Sequence, residues 1–389
     1  MPIINRIAAF HPDMTGWRRH IHAHPETAFE EHRTSDFVAG KLAELGIEVH
    51  RGLAGTGVVG TLRAGSGGRA IGLRADMDAL HIREANGFEH RSTHEGRMHA
   101  CGHDGHTAML LGAARYLAET RRFDGIVHFI FQPAEENEAG GRVMVEQGLF
   151  EKFPVEAVYG MHNWPGLEVG RFAVRAGPMM ASSDLFEIVV TGKGAHAAMP
   201  HRGVDPVMVG AEIVGALQAI ASRQASPLDS VVVTVTQFHA GDTWNVIPQQ
   251  AVLRGTTRSF VPALRDMLES SVRRVAEGIA AAHGASASVS YDRRYPATVN
   301  SEREAEIAAG AMADVVGPEN VARDLPPTMG AEDFAFMLQA RPGAYVWIGN
   351  GGDASAPGLH HPAYDFNDEI LPLGASYWAR LVERVLPAG

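Results

Sequence analysis

The sequence predicts an α/β protein of two domains, in which a mostly parallel sheet is interrupted by an inserted ferredoxin-like β-α-β-β-α-β unit. Length is the first observation, since 389 residues exceed the size at which one hydrophobic core stops growing. The second is that helical segments lie between several of the β-type runs outside the middle of the chain, which is typical of a covered parallel sheet. The third is that the middle breaks this alternation. We therefore expect an outer domain of residues 1–181 and 297–389, and an inserted domain of residues 182–296.

The outer domain should start with helices and continue with buried strands. A helix is predicted after Thr34, where apolar residues recur at helical intervals, and Gly46 is its expected stop. A second helix is predicted from Gly105 to Arg121, with Asp104 as its N-cap. The predicted strands are "GVVGTLRA", "AIGLRA", "GIVHFIFQ", "AVYGM" and "AYVWIG".

The inserted domain is predicted from a regular order of strands and helices. It begins at "SDLFEIVVTGKG", and helices are expected from about Asp205 to Ala225 and from about Pro262 to His283. The remaining strands are "SVVVTVTQFHAG", "QAVLRGTTRSF" and "SASVSYDRRY". This order over about 110 residues is typical of a compact ferredoxin-like domain.

Composition excludes several kinds of partner. The formal net charge of -11 disfavours nucleic acid and anionic membranes, because few basic groups would neutralise their phosphates. The single cysteine allows no internal disulfide, and no apolar run reaches the ~18 residues of a membrane span. No apolar leader follows a basic start. We expect a soluble, cytoplasmic protein that binds a small molecule or a metal ion.

Metal-binding side chains follow four of the predicted strands, where ligands collect in an open parallel sheet. Cys101 and His103 directly precede the predicted helix that starts at Gly105. Thiolate, imidazole and carboxylate together suit zinc, manganese, cobalt or nickel, whereas calcium and magnesium favour oxygen. The residues that follow strands are Asp76, Asp78, Glu135, Glu136, His162, His360 and His361.

The number of candidate ligands exceeds the three of a simple catalytic zinc site, so we expect two ions that share a bridging ligand. The adjacent Glu135 and Glu136 can divide two tasks, because one can coordinate while the other accepts a proton from the attacking water. Cys101 alone could be a buried apolar side chain, a nucleophile or a ligand. A nucleophilic cysteine would leave the paired glutamates without a role, so metal ligation is favoured.

Seven motifs, in order along the chain, resemble those of the M20 metallopeptidase family, subfamily D. These amidohydrolases include hippurate hydrolases, bacterial N-acyl-amino-acid amidohydrolases and plant auxin-conjugate hydrolases. The motifs are "RADMDAL", "MHACGHDGHTAMLLGAA", "FQPAEE", "YGMHNWP", "GKGAHAAMP", "MGAEDFAFM" and "LHHPAYDFND". The resemblance starts at "RRHIHAHPETAFEE" and covers nearly the whole chain. One departure is His81, which follows "RADMDAL" where relatives usually carry proline.

The resemblance implies a role for each of the metal-binding residues. Cys101 would bridge two divalent ions, and Glu135 would be the general base. His361 is a reserve candidate for the last ligand, and we expect Asp78 and His106 to support ligands rather than to bind metal. The terminal ligands that the resemblance implies are His103, Glu136, His162 and His360.

The inserted domain would be the lid and dimerisation domain of such an enzyme. His196 would reach into a partner subunit's site, where it would polarise the scissile carbonyl and stabilise the oxyanion. Asn245 and Arg258 resemble residues that contact the substrate's carbonyl and its terminal carboxylate, which an arginine can bind bidentately. We therefore expect a homodimer or a higher homo-oligomer.

The leading hypothesis is a two-metal amidohydrolase that cleaves N-acyl amino acids of the hippurate type. The alternative within the enzyme class is a dipeptidase or carboxypeptidase that accepts a free amine. A non-catalytic metal-binding or ligand-binding protein of the same fold would not need Glu135 as a base. The alternating His20, His22 and His24 are interpreted as a polar helix end rather than as a metal tract.

Overall fold

The backbone contacts of the computed structural model, which describes residues 4–136, 138–353 and 355–389, divide the chain into two units. Unit 1 contains the described residues up to Met179 together with Val299–Pro326 and Asp333–Gly389. Unit 2 contains Met180–Thr298 and Pro327–Glu332. The predicted fold class is confirmed, since a large, mostly parallel sheet with helices is accompanied by a separate antiparallel sheet.

The first part of unit 1 contains six helices and seven strands among its described residues. In chain order they are α1 (Asn5–Ala8), α2 (His11–His22), α3 (His32–Glu44), β1 (Glu48–Leu53), β2 (Gly57–Ala64), β3 (Ala70–Asp76), α4 (His103–Thr120), β4 (Gly125–Gln132), α5 (Gly140–Glu146), α6 (Leu149–Lys152), β5 (Ala157–Pro165), β6 (Phe172–Ala173) and β7 (Gly177–Met180).

Unit 2 follows, and the chain then returns to unit 1. The elements up to the return are β8 (Ser183–Thr191), β9 (Ala195–His196), α7 (Pro206–Ala219), β10 (Val231–Ala240), β11 (Val246–Ile247), β12 (Gln250–Ser259), α8 (Pro262–Ala282) and β13 (Ser286–Tyr295). The remaining elements are β14 (Thr298–Asn300), α9 (Glu302–Val316), β15 (Val321–Ala322), α10 (Phe334–Ala340), β16 (Gly343–Gly351) and α11 (Leu371–Val385).

The large sheet of unit 1 has the strand order β1-β2-β4-β3-β5-β16-β6-β15. Strands β4, β3, β5 and β16 are parallel to one another, and they are almost continuously buried, as expected for strands covered on both faces. Their carboxyl ends therefore meet at one edge of the sheet. Strands β1 and β2 extend the sheet with antiparallel pairings.

Helix α4 lies at the centre of the helical layer of unit 1. It packs against α2 and α11, and its residues from His103 to Ala114 are all buried. From Ala108 to Ala114 every residue is apolar or glycine, and a helical segment that is apolar on all sides belongs in a core. Gly112 lets α2 approach, since a Cβ at this position would lie 2.2 Å from the sulfur of Met14.

Two predicted helix boundaries need correction, and hydrogen bonds from distant residues explain both. Helix α4 begins at His103, and Asp104 is not its N-cap. Gly102 occupies that position with a φ of 93°, while the Asp104 carboxylate accepts a hydrogen bond from His22. Helix α3 begins at His32 rather than after Thr34, because Glu26 accepts hydrogen bonds from N–H groups in its first turn.

Unit 2 has the predicted order of strands and helices. Its sheet has the strand order β10-β12-β8-β13, with every pair antiparallel, and α7 and α8 contribute to its apolar core. Asp205 caps α7 by accepting the N–H of Val207 at 2.9 Å. Among the described residues of either unit, no helix combines the length and the apolar composition needed to cross a membrane.

Candidate metal centre

The candidate site lies at the carboxyl edge of the unit 1 sheet. Glu135 and Glu136 follow β4, His162 is near the end of β5, and His360 lies in the segment after β16. Helix α4 brings its first residue, His103, to the same edge, with Cys101 two residues before it. The strands and the helix that carry these residues thus explain why side chains from four distant parts of the chain meet.

The possible ligand atoms of these residues form overlapping groups. Within each group all ligand atoms lie within 4.8 Å of one another. Cys101 belongs to two groups, one with His103 and His162 and the other with Glu136 and His360. A third group joins Glu135 to His103 and Glu136. All five predicted ligands and the predicted base are therefore close together.

The thiol of Cys101 faces a ring nitrogen of His162. The Sγ atom lies 3.3 Å from Nε2 of His162, and Nδ1 of the same ring lies 2.6 Å from the carbonyl oxygen of Asn163, to which it donates. Burial and the negative charges of Glu136 and Glu135 raise the pKa of the Cys101 thiol. A cation in this position would reverse that electrostatic effect, because it favours the thiolate.

His103 presents one bonded and one unbonded nitrogen. Its Nδ1 lies 3.2 Å from Oδ1 of Asp78, whereas its buried Nε2 has no hydrogen-bond partner among the described residues. Asp78 also accepts the N–H of Glu136 at 2.9 Å, so one carboxylate orients two candidate ligands. Burial alone would lower the pKa of His103, but carboxylates led by Asp76 raise it to about 10. An orphaned imidazole nitrogen in a negative field fits a metal ligand.

His106 has the opposite character, although its ring lies close to the same groups. Its Nδ1 donates to Asp76 at 2.6 Å, and its Nε2 accepts the N–H of Asn163 at 2.9 Å. Both nitrogens are occupied, so His106 supports the end of β5 and has no lone pair free for a metal. His106 lies close enough to Asp76 and His103 to form a possible ligand group with them, but its two hydrogen bonds argue against metal binding by its ring.

Asn163 and Tyr364 hold the loop that carries Cys101, and sequence reasoning missed both. Asn163 donates from Nδ2 to the carbonyl of Cys101 at 2.7 Å and accepts the hydroxyl of Tyr364 at 2.6 Å. Gly102 leaves room for this contact, since a Cβ there would lie 2.2 Å from the Asn163 amide nitrogen. The sequence does contain a signal for both residues, because Asn163 follows the candidate ligand His162 directly and Tyr364 lies in the last motif.

The two histidines after β16 differ in their bonding. His360 has a φ of 64°, donates its N–H to the carbonyl of Ala100 at 2.7 Å, and has Nε2 3.1 Å from Oε1 of Glu136. The contact with Glu136 raises the pKa of His360. His361 is exposed, and its Nδ1 accepts the N–H of Ala363 at 3.0 Å. Among the described residues, His361 belongs to none of the groups that could hold a metal ion.

A second polar cluster, also missed from the sequence, lies behind the start of α4. His22 ends α2 as predicted, but its ring is fully buried between Asp104 at 2.9 Å and Glu84 at 3.1 Å. These hydrogen bonds outweigh burial and raise the pKa of His22 to about 9. One turn earlier, the buried Arg18 donates to Asp365 and Asp368, which follow His360 in the last motif.

The predicted residues of unit 2 lie on β12, in β9 and directly before β11. His196 pairs with Val246 in that ladder, and Asn245 accepts the N–H of Ala197 through its carbonyl at 2.9 Å. The His196 ring is exposed, with Nδ1 accepting the N–H of Ala198 at 3.0 Å. Arg258 is half-buried, and burial lowers its pKa. Among the described residues its guanidinium has no hydrogen-bond or ion-pair partner.

Comparison with known proteins places these observations in a family. The model of the peptidase family M20/M25/M40 matches residues 72–384. Hippurate hydrolase of Campylobacter jejuni is 38% identical over 99% of this chain and 100% of its own length. N-acetylcysteine deacetylase of Bacillus subtilis is 41% identical over 97% and 98% of the two chains. The crystal structure of YxeP from Bacillus subtilis, a dinuclear metal-binding M20 peptidase, has a TM-score of 0.85 at 38% identity, covering 97% and 99%.

Proposed function

The chain belongs to the M20/M25/M40 peptidase family and is a metal-dependent amidohydrolase, and from this premise we propose that it hydrolyses N-acyl amino acids of the hippurate type. The observation that carries the proposal is that Cys101 belongs to two groups of possible metal ligands. Glu135 lies close to members of both groups. Such a site suits the cleavage of an amide by water.

The residues that would hold two ions are all in unit 1. Cys101 would bridge them, and the orphaned Nε2 of His103 supports its role as a ligand. Two bound ions would supply Lewis acidity, which polarises the amide carbonyl and makes water a better nucleophile at neutral pH. The remaining ligands in this proposal are Glu136, His162 and His360. Mixed sulfur, nitrogen and oxygen donors favour zinc, manganese, cobalt or nickel, which metal analysis of the purified protein would distinguish.

Glu135 would perform the proton transfer. Its carboxylate is 6% exposed, and the backbone N–H of Asp333 lies 3.4 Å from Oε1. In the forward reaction it accepts the proton of the attacking water and later gives that proton to the nitrogen of the leaving amino acid. The products are a carboxylic acid and a free amino acid.

Three residues of unit 2 would bind the substrate. Because Nδ1 of His196 accepts a hydrogen bond, the neutral ring carries its proton on Nε2 and can donate to a developing oxyanion. The guanidinium of Arg258, which has no partner in the described part of the chain, suits the terminal carboxylate of an amino acid. Asn245, next to the partner of His196 in the ladder, would contact the substrate's carbonyl.

We also propose a homodimer in which His196 acts in the partner's site, and a cytoplasmic location in which the lone thiol of Cys101 stays reduced. Unit 2 exposes a group of large apolar side chains that a second copy would cover. The most exposed of them are Leu228, Trp244, Val246 and Met208. Light scattering after size exclusion should show a dimer, and a fully active monomer would contradict the shared site.

The decisive experiment is the Glu135→Gln variant, which keeps the shape of the side chain and removes the base. We expect kcat on N-benzoylglycine to fall by at least ~100-fold with unchanged metal content. Undiminished hydrolysis would refute the mechanism. Rates of the wild-type enzyme on free dipeptides provide the second comparison, since faster cleavage of dipeptides than of N-benzoylglycine would favour a dipeptidase.

A further inference from the structure

One fully buried carboxylate in unit 1 has no part in the mechanism described so far. Glu31, directly before α3, is 0% exposed and receives three hydrogen bonds. The hydroxyl of Thr56 donates to Oε2 at 2.6 Å, and the N–H groups of Ala134 and Phe29 donate to Oε1 at 2.9 Å and 3.1 Å. A buried carboxylate with only neutral donors is costly, so its retention calls for a reason.

The residues that donate to Glu31 include two in an unfavourable backbone conformation. Phe29 has a φ of 61° and Ala134 a φ of 54°, in the left-handed region that residues other than glycine avoid. Only six described non-glycine residues have a positive φ, and two of them donate to the same oxygen atom. Strain of this kind persists where surrounding contacts enforce it, and it is concentrated at functional sites.

Ala134 is the residue immediately before Glu135, and both of its flanking peptides are fixed. Its N–H is bound by Glu31, and its carbonyl accepts the N–H of Gly140 at 2.8 Å. Because these two peptide planes define φ and ψ of Ala134, the direction in which the backbone enters Glu135 depends on the Glu31 carboxylate. Glu31 reaches this turn from a position 103 residues earlier in the chain.

We propose that Glu31 is a positioning residue for the reaction, which holds Ala134 in the left-handed conformation and so places the carboxylate of Glu135 for proton transfer. The inference rests on the proposed function, in which Glu135 is the base. Glu31 acts through the backbone and contacts neither substrate nor metal ion. Its loss should therefore impair the chemical step and spare substrate binding.

The test compares Glu31→Leu, which removes the acceptor, with Glu31→Gln, which keeps one acceptor oxygen. We expect Glu31→Leu to lower kcat on N-benzoylglycine by about 10- to 100-fold, because a small misplacement of a reacting group has effects of this size. KM and metal content should stay within twofold of the wild type, and Glu31→Gln should recover most of kcat. If Glu31→Leu does not fold, Thr56→Val removes only the hydroxyl donor and should lower kcat severalfold.

Glu26→Leu is the matched control, because Glu26 accepts N–H groups in the first turn of α3 and makes none of the Glu31 contacts. It should leave kcat near the wild-type value. A wild-type kcat in Glu31→Leu, or in Thr56→Val if the former does not fold, would overturn the inference. An equal loss of kcat in Glu26→Leu would also overturn it, because the effect would then come from α3.

A double-mutant cycle separates this inference from the proposed function. In the Glu135→Gln background, the Glu31→Leu change should lower the residual kcat by less than twofold, because the carboxylate that Glu31 positions is already absent. Full activity of Glu135→Gln alone refutes the proposed function. An inactive Glu135→Gln with a fully active Glu31→Leu refutes only the role of Glu31.

Discussion

The residues that support the candidate site of unit 1 differ in their bonding from the candidate substrate-binding groups of unit 2. In unit 1, groups that surround the candidate metal ligands are bonded within the chain, as His106 is to Asp76 and Asn163. In unit 2, the Nε2 side of His196 and the guanidinium of Arg258 have no partner among the described residues. A buried site has to be assembled before a metal binds, whereas a substrate-binding group that was already paired would have to break that pair. The difference predicts that substitutions in unit 1 affect stability and those in unit 2 affect binding.

The largest effect is expected from Arg18→Met. This arginine is 1% exposed and neutralises carboxylates of Asp104, Asp365 and Asp368, so its removal should lower the free energy of unfolding by about 3–5 kcal/mol. Arg19→Met is the control, because Arg19 pairs with the same Asp368 from a half-exposed position. Its effect should stay below about 1 kcal/mol. Urea unfolding of both variants measures the difference, and equal losses would contradict the comparison.

The second effect concerns the pH dependence of stability. Burial and the negative charge of Asp78 raise the pKa of Glu31 to about 7, from 4.5 for an ordinary glutamate. The folded chain therefore retains a proton that the unfolded chain releases, and stability falls as pH rises from 4.5 to 7. Glu31→Gln lacks this titration. Between pH 4.5 and 7 its free energy of unfolding should therefore rise by about 2–3 kcal/mol relative to that of the wild type. Unfolding at several pH values tests this, and a constant difference would contradict it.

Arg258→Met should have a smaller effect, confined to binding. With the guanidinium removed, KM for N-benzoylglycine should rise about tenfold, or ~1.4 kcal/mol, while the free energy of unfolding stays unchanged. Arg254→Met is the control on the same strand, since Arg254 pairs with Glu187 at 2.7 Å on an exposed surface. Steady-state kinetics of both variants decide the question. A loss of stability in Arg258→Met would show that unit 2 also uses its arginine structurally.

The smallest effect is expected from His361→Ala. This residue lies in unit 1 beside His360, but its ring is exposed and, among the residues that the structure describes, bonds only to the N–H of Ala363. We expect kcat/KM and metal content to change by less than about twofold, as for most surface substitutions. His360→Ala should lose activity and bound metal, and it serves as the positive control. A loss of metal in His361→Ala would make it the ligand instead.

The sequence was sufficient for the parts of the molecule that depend on local pattern. Alternating strands and helices predicted the mixed α/β fold, and strand ends predicted that Glu136 and His162 would meet Cys101. Contacts between distant segments were not predictable in this way. Asp104 looked like an N-cap, yet it bonds to His22, which lies 82 residues earlier. Glu31 ends the stretch in which the family resemblance starts, but the sequence did not indicate its contact with the N–H of Ala134, which lies 103 residues later.

Arg18 shows the same limit of sequence-based prediction for a buried positive charge. Its partner Asp368 lies 350 residues away, and nothing in the local pattern of α2 indicates a buried charge. Candidate metal ligands can be recognised from their residue types, because cysteine together with histidine is typical of a transition-metal site. Side chains that hold such ligands are ordinary glutamates, arginines and asparagines, and only the folded chain distinguishes them.

The exposure of Trp244 gives the protein a spectroscopic handle. Trp244 is fully exposed in unit 2, while Trp347 and Trp378 are buried and Trp17 and Trp164 are partly covered. The fluorescence of Trp244 should therefore be the part of the emission that iodide quenches most readily. If a second copy or a bound substrate covers this surface, quenching will weaken and the emission will shift to the blue. Assembly and ligand binding could thus be followed in the native protein without an added label.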